Sequence, residues 1–218
     1  MTLTTILILV AAYLIGALPS AYLAGRLHGV RLSQLGDGNL GARNTYRVLG
    51  LAPALWVGVL DVGKGALATW LAKLLSNDPL LPYVAALSAV IGHDFSIYIH
   101  FAGGKGMATA LGSALVLQPM ETLLGLGLVG LALLLLRNWD LAWSLGMGSM
   151  PVWGWSLGRP SWQLLWLVIL FVSIGLKKLV DSRARWMRAA TAQTSDHDSD
   201  GPPACKRAEQ AVIHHSNQ

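Results

Sequence analysis

The chain has 218 residues, of which 54% are hydrophobic and only 12% are charged, and its mean hydropathy is +0.52. A soluble domain carries about a quarter charged residues, and a soluble helical bundle of this length could not bury so much apolar surface. The composition therefore excludes an ordinary soluble domain, and the net charge of +5 is not interpreted as a nucleic-acid-binding signal, because in a membrane protein the location of the charge matters more than its sum.

Seven apolar segments follow one another, near residues 2–24, 52–75, 80–100, 107–119, 120–136, 139–157 and 161–179. About 20 apolar residues cross a bilayer as a helix, and backbone inside lipid must satisfy its own hydrogen bonds. The sequence therefore predicts an all-α, polytopic membrane helix bundle with about seven transmembrane helices. The segment after Gly106 is short and ends at Pro119, which leaves six spans as an alternative.

The basic residues predict the orientation of these helices. One face has little beyond Lys73 and Arg159, whereas the other collects Arg26, Arg31, Arg43, Arg47, Lys105, Arg137, Lys177, Lys178, Arg183, Arg185 and Arg188. The positive-inside rule then places the N-terminus outside and the C-terminus in the cytoplasm. We predict an integral membrane domain over residues 1–190 and a disordered, polar cytoplasmic tail over 191–218.

The first candidate site is a glycine-rich stretch on the predicted cytoplasmic side, here called the first glycine loop (residues 36–44). Its glycines permit close backbone approach, its asparagines offer side-chain amides, and the nearby arginines supply fork-shaped donors. Successive backbone N–H groups in such a turn bind anions. A flexible basic loop is the alternative, but the combination favours a phosphate site formed by Gly36, Gly38, Asn39, Gly41, Arg43, Asn44 and Arg47.

The second candidate site is the second glycine loop (residues 101–106), on the same predicted side. Lys105 stands among glycines just before a predicted helix, which combines a point charge with a favourable helix dipole. The alternative is a tight connection with one snorkelling lysine. The residues of interest are His93, Gly103, Gly104, Lys105, Gly106 and Thr109.

A pair of opposite charges lies inside the second apolar segment. Asp61 and Lys64 are three residues apart and therefore share a helix face. Intramembrane charges are costly and are functional candidates by default. A purely structural buried pair is an equally good interpretation at this stage.

These motifs resemble those of the bacterial glycerol-3-phosphate acyltransferases that use acyl phosphate as donor. The resemblance covers roughly residues 10–115 and is carried by residues 16–22, 36–50, 61–65 and 92–109. It implies a seven-helix membrane enzyme that transfers an acyl group from acyl phosphate to the 1-hydroxyl of glycerol 3-phosphate. The products are 1-acylglycerol 3-phosphate (lysophosphatidate) and phosphate, and neither a metal nor another cofactor is implied.

The resemblance also implies roles for individual residues. Arg47 matches the functional arginine of the family's first motif and Lys105 the lysine of its phosphate loop, and both are predicted catalytic residues. Asp37, where the family has serine, is added to the predicted catalytic residues as a candidate general base and not from the resemblance. The predicted substrate-binding residues are Gly36, Gly38, Asn39, Gly41, Arg43, Asn44, Lys64, His93, Gly103, Gly104, Gly106 and Thr109.

Two departures from the family pattern are visible. Asp37 stands where the family has serine and Arg43 where it has threonine, and we expect the arginine to compensate the charge of the aspartate. The stretch 176–186 lacks the histidine and the asparagine of the family's third motif. The alternative function is therefore a weakly active or inactive relative that binds lipid or phosphate as a regulatory membrane subunit.

Overall fold

The computed structural model describes residues 2–199, with side chains as far as Arg183. Its α-helices in that range are α1 (Leu3–Gly16), α2 (Ser20–Leu27), α3 (Ala42–Leu49), α4 (Leu51–Leu75), α5 (Leu81–Asp94), α6 (Met107–Leu117), α7 (Pro119–Leu136), α8 (Trp139–Gly148), α9 (Met150–Ser156) and α10 (Ser161–Ser199). No named strand occurs among these residues. The predicted all-α membrane bundle is confirmed.

Four stretches are long and apolar enough to cross a membrane: Leu3–Leu27, Leu51–Leu75, Pro119–Leu136 and Ser161–Arg183. Only 17% to 33% of the residues in their most apolar windows are buried inside the protein. Apolar side chains that face outward along a spanning helix suit a lipid environment. The seven spans and the sidedness of the termini stay predictions.

The first predicted segment is not one continuous helix, because it is interrupted at residues 17–19. Pro19 has no backbone N–H and therefore favours an interruption. The carbonyl oxygens exposed by the break are satisfied from other parts of the chain: Ala17 O accepts from Ser96 Oγ at 2.6 Å, just after α5, and Leu18 O accepts from Lys64 Nζ of α4 at 2.9 Å. The interruption is thus compatible with the requirement that backbone in lipid be hydrogen-bonded.

The other predicted segments are helical with shifted ends. The segment 139–157 divides into α8 and α9 at Ser149, and the segment 80–100 leaves the α-helical conformation after Asp94. The stretch between the predicted apolar segments 2–24 and 52–75 contains α3, a short helix with apolar and cationic residues on different faces. This helix lies against α4 and carries Arg43 and Arg47 on a fixed backbone.

Helix crossings in the core rely on glycines that admit a neighbouring backbone. A Cβ added to Gly65 would overlap the backbone of Thr109, so α4 and α6 approach closely. At the crossing of α1 and α5, the same holds for Gly16 against Ala89. Small residues at such crossings are the usual solution where helices pack inside a membrane.

An ion pair between a buried glutamate and a partly exposed arginine joins α7 to the loop before α10. Glu121 is completely buried, and Arg159 donates to both of its carboxylate oxygens, at 2.5 and 3.3 Å. The hydrogen bond to Glu121 raises the pKa of Arg159. The bidentate geometry of this pair suits a structural clamp between the two segments.

The chain divides into two compact units, Met1–Gly175 and Leu176–Gln218. In the second unit, Lys177 and Asp181 form an ion pair of 2.6 Å one helical turn apart. Helix α10 extends to Ser199 and so includes the first nine residues of the predicted tail. Residues 200–218 lie outside the described residues, and the boundary at 190/191 stays a prediction.

Candidate active site

The first glycine loop is folded around the side chain of Asn44, which is completely buried. Its Oδ1 accepts from the backbone N–H of Asp37 at 2.9 Å, and its Nδ2 donates to the carbonyls of Leu32 and Leu35 at 3.1 and 3.0 Å. Gly36 has a φ of 62°, and a Cβ there would overlap Asn44 Oδ1. These contacts give Asn44 the role of shaping the loop.

Asp37 is paired with an arginine, but the partner in the structure differs from the one expected. Arg47 Nη1 donates to Asp37 Oδ2 at 3.2 Å, whereas Arg43 Nη1 donates to Asp140 at 2.9 Å. The other oxygen of Asp37 accepts from the backbone N–H of Asn39 at 3.1 Å. The expected compensation of Asp37 by Arg43 is thus replaced by a pair with Arg47, one of whose five N–H donors is used by that bond.

The second glycine loop packs against the end of α5. The N–H of Gly104 donates to the carbonyl of His93 at 3.2 Å. A Cβ on Gly103 would overlap the backbone of His93 and Asp94, and one on Gly104 would overlap the His93 ring. Gly106 has a φ of 68° and precedes the first residue of α6. The glycines are therefore required for packing and for backbone conformation, and this fixes the approach of Lys105.

The two loops meet at a cavity of about 180 Å³, here called the polar cavity. Its walls include Met107, Leu111 and Trp143. The predicted site residues in its lining are Asn39, Gly41, Arg43, His93, Lys105 and Gly106. Sequence reasoning therefore identified residues from both loops that the tertiary structure brings into one site.

Two helices begin at the polar cavity. Gly41 precedes α3 and Gly106 precedes α6, both glycines line the cavity, and neither helix has a side-chain cap. The first N–H groups of a helix have no intrahelical acceptor, and the helix dipole favours negative charge at that end. With Arg43 and Lys105 in the same lining, the cavity is electrostatically suited to a phosphate group.

The cavity also contains hydrogen-bond acceptors. The buried Oδ1 of Asn39 accepts no hydrogen bond within the described part of the chain, and Asp61 contributes to the lining. An acceptor with no donor is unfavourable when buried, unless a ligand supplies one. A hydroxyl group beside the phosphate would satisfy this requirement.

Asp61, which lines the polar cavity, is also the centre of a buried cluster. Its Oδ1 accepts from Ser20 Oγ and lies 2.9 Å from Lys64 Nζ and 3.6 Å from His93 Nδ1. Lys64 is bound to Asp61 and to the carbonyl of Leu18 and lies outside the lining of the polar cavity. The contacts of Lys64 are therefore within the protein, whereas Asp61 and His93 are part of the lining of the polar cavity.

Other predicted residues support the site from a distance. Gly38, with a φ of 69°, lies against the backbone of Ser33. Thr109 is completely buried where α6 crosses α4, and it is not in the lining of the polar cavity. Both residues therefore belong to the frame around the cavity.

A larger, apolar groove adjoins the polar cavity and was not predicted. It has a volume of about 960 Å³, runs along α3 and α4, and is here called the apolar groove. On α4 its lining recurs with helical spacing, at Leu51, Ala54, Leu55, Gly58, Val59, Val62 and Gly63. The same stripe is visible in the sequence, but an apolar stripe on a membrane helix does not distinguish a ligand groove from a lipid-facing surface.

Four residues line both the polar cavity and the apolar groove: Ala42, Arg43, Ala108 and Trp139. The two spaces therefore meet. This arrangement can hold an amphiphile with an anionic head and an apolar tail. Sequence reasoning missed Ala108, Trp139 and Asp140 because none of them lies in a glycine loop.

Comparisons with known proteins agree with this geometry. A family model described as glycerol-3-phosphate acyltransferase matches residues 6–185. A glycerol-3-phosphate acyltransferase of Thermus thermophilus is 38% identical over 167 residues, which cover 76% of this chain and 83% of the relative. Glycerol-3-phosphate acyltransferase 1 of Dehalococcoides mccartyi is 37% identical over 182 residues, 80% of this chain and 88% of the relative.

Two solved structures of PlsY, described as an integral membrane glycerol 3-phosphate acyltransferase, have the same fold. The glycerol 3-phosphate form has a TM-score of 0.74 at 28% identity, and the lysophosphatidic acid form has a TM-score of 0.70 at 27% identity. Each match covers 86% of this chain and 92% of the other. From the family match, the sequence identities and the shared fold, this chain belongs to the glycerol-3-phosphate acyltransferase family.

Proposed function

We propose that this membrane acyltransferase transfers an acyl group from acyl phosphate to the 1-hydroxyl of glycerol 3-phosphate. The hydroxyl oxygen forms a new ester bond to the acyl carbon, the bond from that carbon to the phosphate oxygen breaks, and the phosphate leaves with the electron pair while the hydroxyl proton is released. Because acyl phosphate is already an activated mixed anhydride, the enzyme has mainly to orient two reactants and stabilise negative charge.

The observation that carries this proposal is that the polar cavity and the apolar groove meet. Two uncapped helix N-termini, Arg43 and Lys105 surround the polar cavity, and the apolar groove adjoins it. Phosphate groups of either substrate suit the cationic space, and an acyl chain suits the groove. Leu51, Leu55 and Val59 in the groove lining are exposed, which supports entry of the acyl chain from the bilayer.

The site residues divide into three proposed roles. Lys105 and Arg43, both in the lining of the polar cavity, bind and stabilise phosphate charge. Arg47 lies in the lining of the apolar groove rather than of the polar cavity, and its guanidinium is paired with Asp37, so its catalytic role stays a prediction from the resemblance. The backbone N–H groups beside Gly41 and Gly106 add to phosphate binding, and Asn39 accepts a hydrogen bond from a substrate hydroxyl. The remaining glycines and Asn44, Lys64 and Thr109 act through the shape of the site.

The excess of basic residues on the face that carries both glycine loops supports a cytoplasmic active site in a bacterial inner membrane. Both substrates of the proposed reaction carry phosphate, so a site at the interface leaves their charged groups outside the hydrocarbon. Insertion of a reporter after Pro79, in the loop between α4 and α5, should give the signal of the extracytoplasmic side.

The reaction is tested by phosphate release from the purified protein in detergent, with palmitoyl phosphate supplied as donor. We expect release that depends on glycerol 3-phosphate and equals the amount of lysophosphatidate formed. Binding of both substrates without any release would contradict the transferase function and would instead support the regulatory relative that the altered third motif suggests. Release that is independent of glycerol 3-phosphate would identify a different acceptor.

If the apolar groove binds the acyl chain, a side chain that fills the groove should change the preference of the enzyme for acyl-chain length. Gly63 lines the groove, and a Cβ added there meets no atom within 4 Å, so a larger side chain would project into free space. Gly63→Leu should lower kcat/KM for palmitoyl phosphate at least ~10-fold and for decanoyl phosphate only ~2-fold, since filling a hydrophobic pocket discriminates by chain length.

The matched control for this variant is Gly127→Leu. Gly127 is also a helical glycine with no atom within 4 Å of an added Cβ, but it lies on α7, outside the lining of the groove. The two variants should differ only in chain-length profile. An equal loss with both donors in Gly63→Leu would remove the groove from acyl binding.

A further inference from the structure

Trp139, at the start of α8, lies where the polar cavity and the apolar groove meet. It lines both the polar cavity and the apolar groove, together with Ala42, Arg43 and Ala108. Among these four, Trp139 alone presents a large rigid ring. A donor with its phosphate in the cavity and its chain in the groove must pass this ring, and its acyl carbon would lie close to it.

The position of Trp139 is fixed from two sides. Its ring stacks on that of Trp143, with 6.0 Å between ring centroids and 17° between ring planes. The next residue, Asp140, accepts from Arg43 Nη1 at 2.9 Å, which ties the first turn of α8 to the first turn of α3.

The backbone at this point is also defined. Arg137 has a φ of 49° and is the C-cap of α7, and Asn138 Oδ1 accepts from the N–H of Leu141 at 3.1 Å as the N-cap of α8. A capped helix start places its first side chain in a reproducible direction. The direction of the Trp139 Cα–Cβ bond is therefore set by its own helix, and the stacking on Trp143 orients the ring.

We propose, as a refinement that rests on the function proposed above, that Trp139 is the positioning residue for the acyl donor. Its ring forms the wall against which the first carbons of the acyl chain pack, so that the phosphate stays in the polar cavity and the carbonyl carbon faces the acceptor. Trp143 and the pair of Arg43 with Asp140 hold the ring in this position.

This role is separable from a role in folding. The side chains of Arg43 and Asp140 are 35% and 47% exposed, and exposed ion pairs contribute little to the free energy of unfolding. Trp139 is itself 41% exposed. Removal of the Trp139 ring or of the pair between Arg43 and Asp140 should therefore weaken donor binding while the free energy of unfolding changes little.

The first measurement is equilibrium binding of hexadecyl phosphate, which has no acyl carbonyl and cannot be turned over. Trp139→Ala should weaken its binding about tenfold, because the chain loses its apolar contact with the ring, and Trp139→Phe should restore most of the affinity. Asp140→Asn should give a smaller loss of about threefold, since the ring is still stacked on Trp143.

The matched control is Trp155→Ala. Trp155 is 74% exposed on α9 and lies outside the lining of both spaces, so its loss should leave the binding of hexadecyl phosphate unchanged. The midpoint of thermal unfolding in the same detergent identifies any variant that fails to fold. If Trp139→Ala fails to fold, the affinities of Trp139→Phe and Asp140→Asn for hexadecyl phosphate are compared with that of the wild type.

The second measurement separates this inference from the proposed function. In the turnover assay, Trp139→Ala should raise KM for palmitoyl phosphate while KM for glycerol 3-phosphate changes less than about twofold. If the wild-type protein shows no acceptor-dependent phosphate release, the proposed function is contradicted but the role of Trp139 is not. The binding of hexadecyl phosphate tests that role without turnover. Equal affinity of wild type and Trp139→Ala for hexadecyl phosphate would overturn the role of Trp139.

Discussion

Lys105→Ala should lower kcat/KM for acyl transfer by about 10²- to 10³-fold, the usual effect of removing one group that stabilises transition-state charge. Lys105 lines the polar cavity, immediately before the uncapped N-terminus of α6. The leaving phosphate gains negative charge as the carbon–oxygen bond breaks, and a nearby ammonium group stabilises it. The measurement is the initial rate of acceptor-dependent phosphate release at varied concentrations of both substrates.

Two further variants make this expectation specific. Lys105→Arg keeps the charge and should retain more activity than Lys105→Ala, although a guanidinium cannot reproduce the position of the ammonium group. Lys73→Ala removes a lysine from the last turn of α4 and serves as the control. Turnover in Lys105→Ala equal to that in Lys73→Ala would exclude the second glycine loop from the mechanism.

The second large effect concerns stability. Asp61→Ala should lower the free energy of unfolding by about 3–5 kcal/mol, because it leaves a buried charge without its partner. The side chain of Lys64 is only 5% exposed and lies 2.9 Å from Asp61. The hydrogen bond from Ser20 and the approach of His93 to the same carboxylate oxygen are lost as well. Equilibrium unfolding of the purified protein in detergent measures the effect.

The double variant Asp61→Leu with Lys64→Met distinguishes an unpaired charge from a simple loss of contacts. It removes both charges, so it should recover part of the stability lost in Asp61→Ala. Recovery should be incomplete, since the carbonyl of Leu18 loses its hydrogen bond from Lys64. Asp78→Ala, in the loop between α4 and α5, is the control for loss of an acidic residue. A double variant no more stable than Asp61→Ala would contradict the electrostatic explanation.

Much of the helix layout could be predicted from the sequence because hydropathy and helix breakers act locally. Long apolar stretches must be helical in lipid whatever their neighbours are, and α4 and α7 end close to the predicted boundaries. The pairing of Asp61 with Lys64 was predictable for the same reason, since residues three apart share a helix face. The helix breaks near Pro19 and Ser149 were not predicted from the sequence. The first break depends on partners far away in the chain, since Ser96 and Lys64 donate to the carbonyls that it exposes.

The composition of the site was only partly predictable. The glycine loops are local signals, and both contribute to the polar cavity. The partner of Asp37 was not predictable, because Arg43 and Arg47 lie one helical turn apart on α3 and the residue pattern does not say which one faces the loop.

A membrane helix bundle with two glycine-rich basic loops could be inferred without coordinates, because hydropathy, glycine content and charge spacing are properties of a few neighbouring residues. The apolar groove beside those loops, and the contribution of α8 to the lining of both spaces, required the packed structure. Arg43 and Asp140 are 97 positions apart, and Trp139 reaches the site through the packing of whole helices. Such contacts depend on the crossing and rotation of helices, which local residue patterns do not specify.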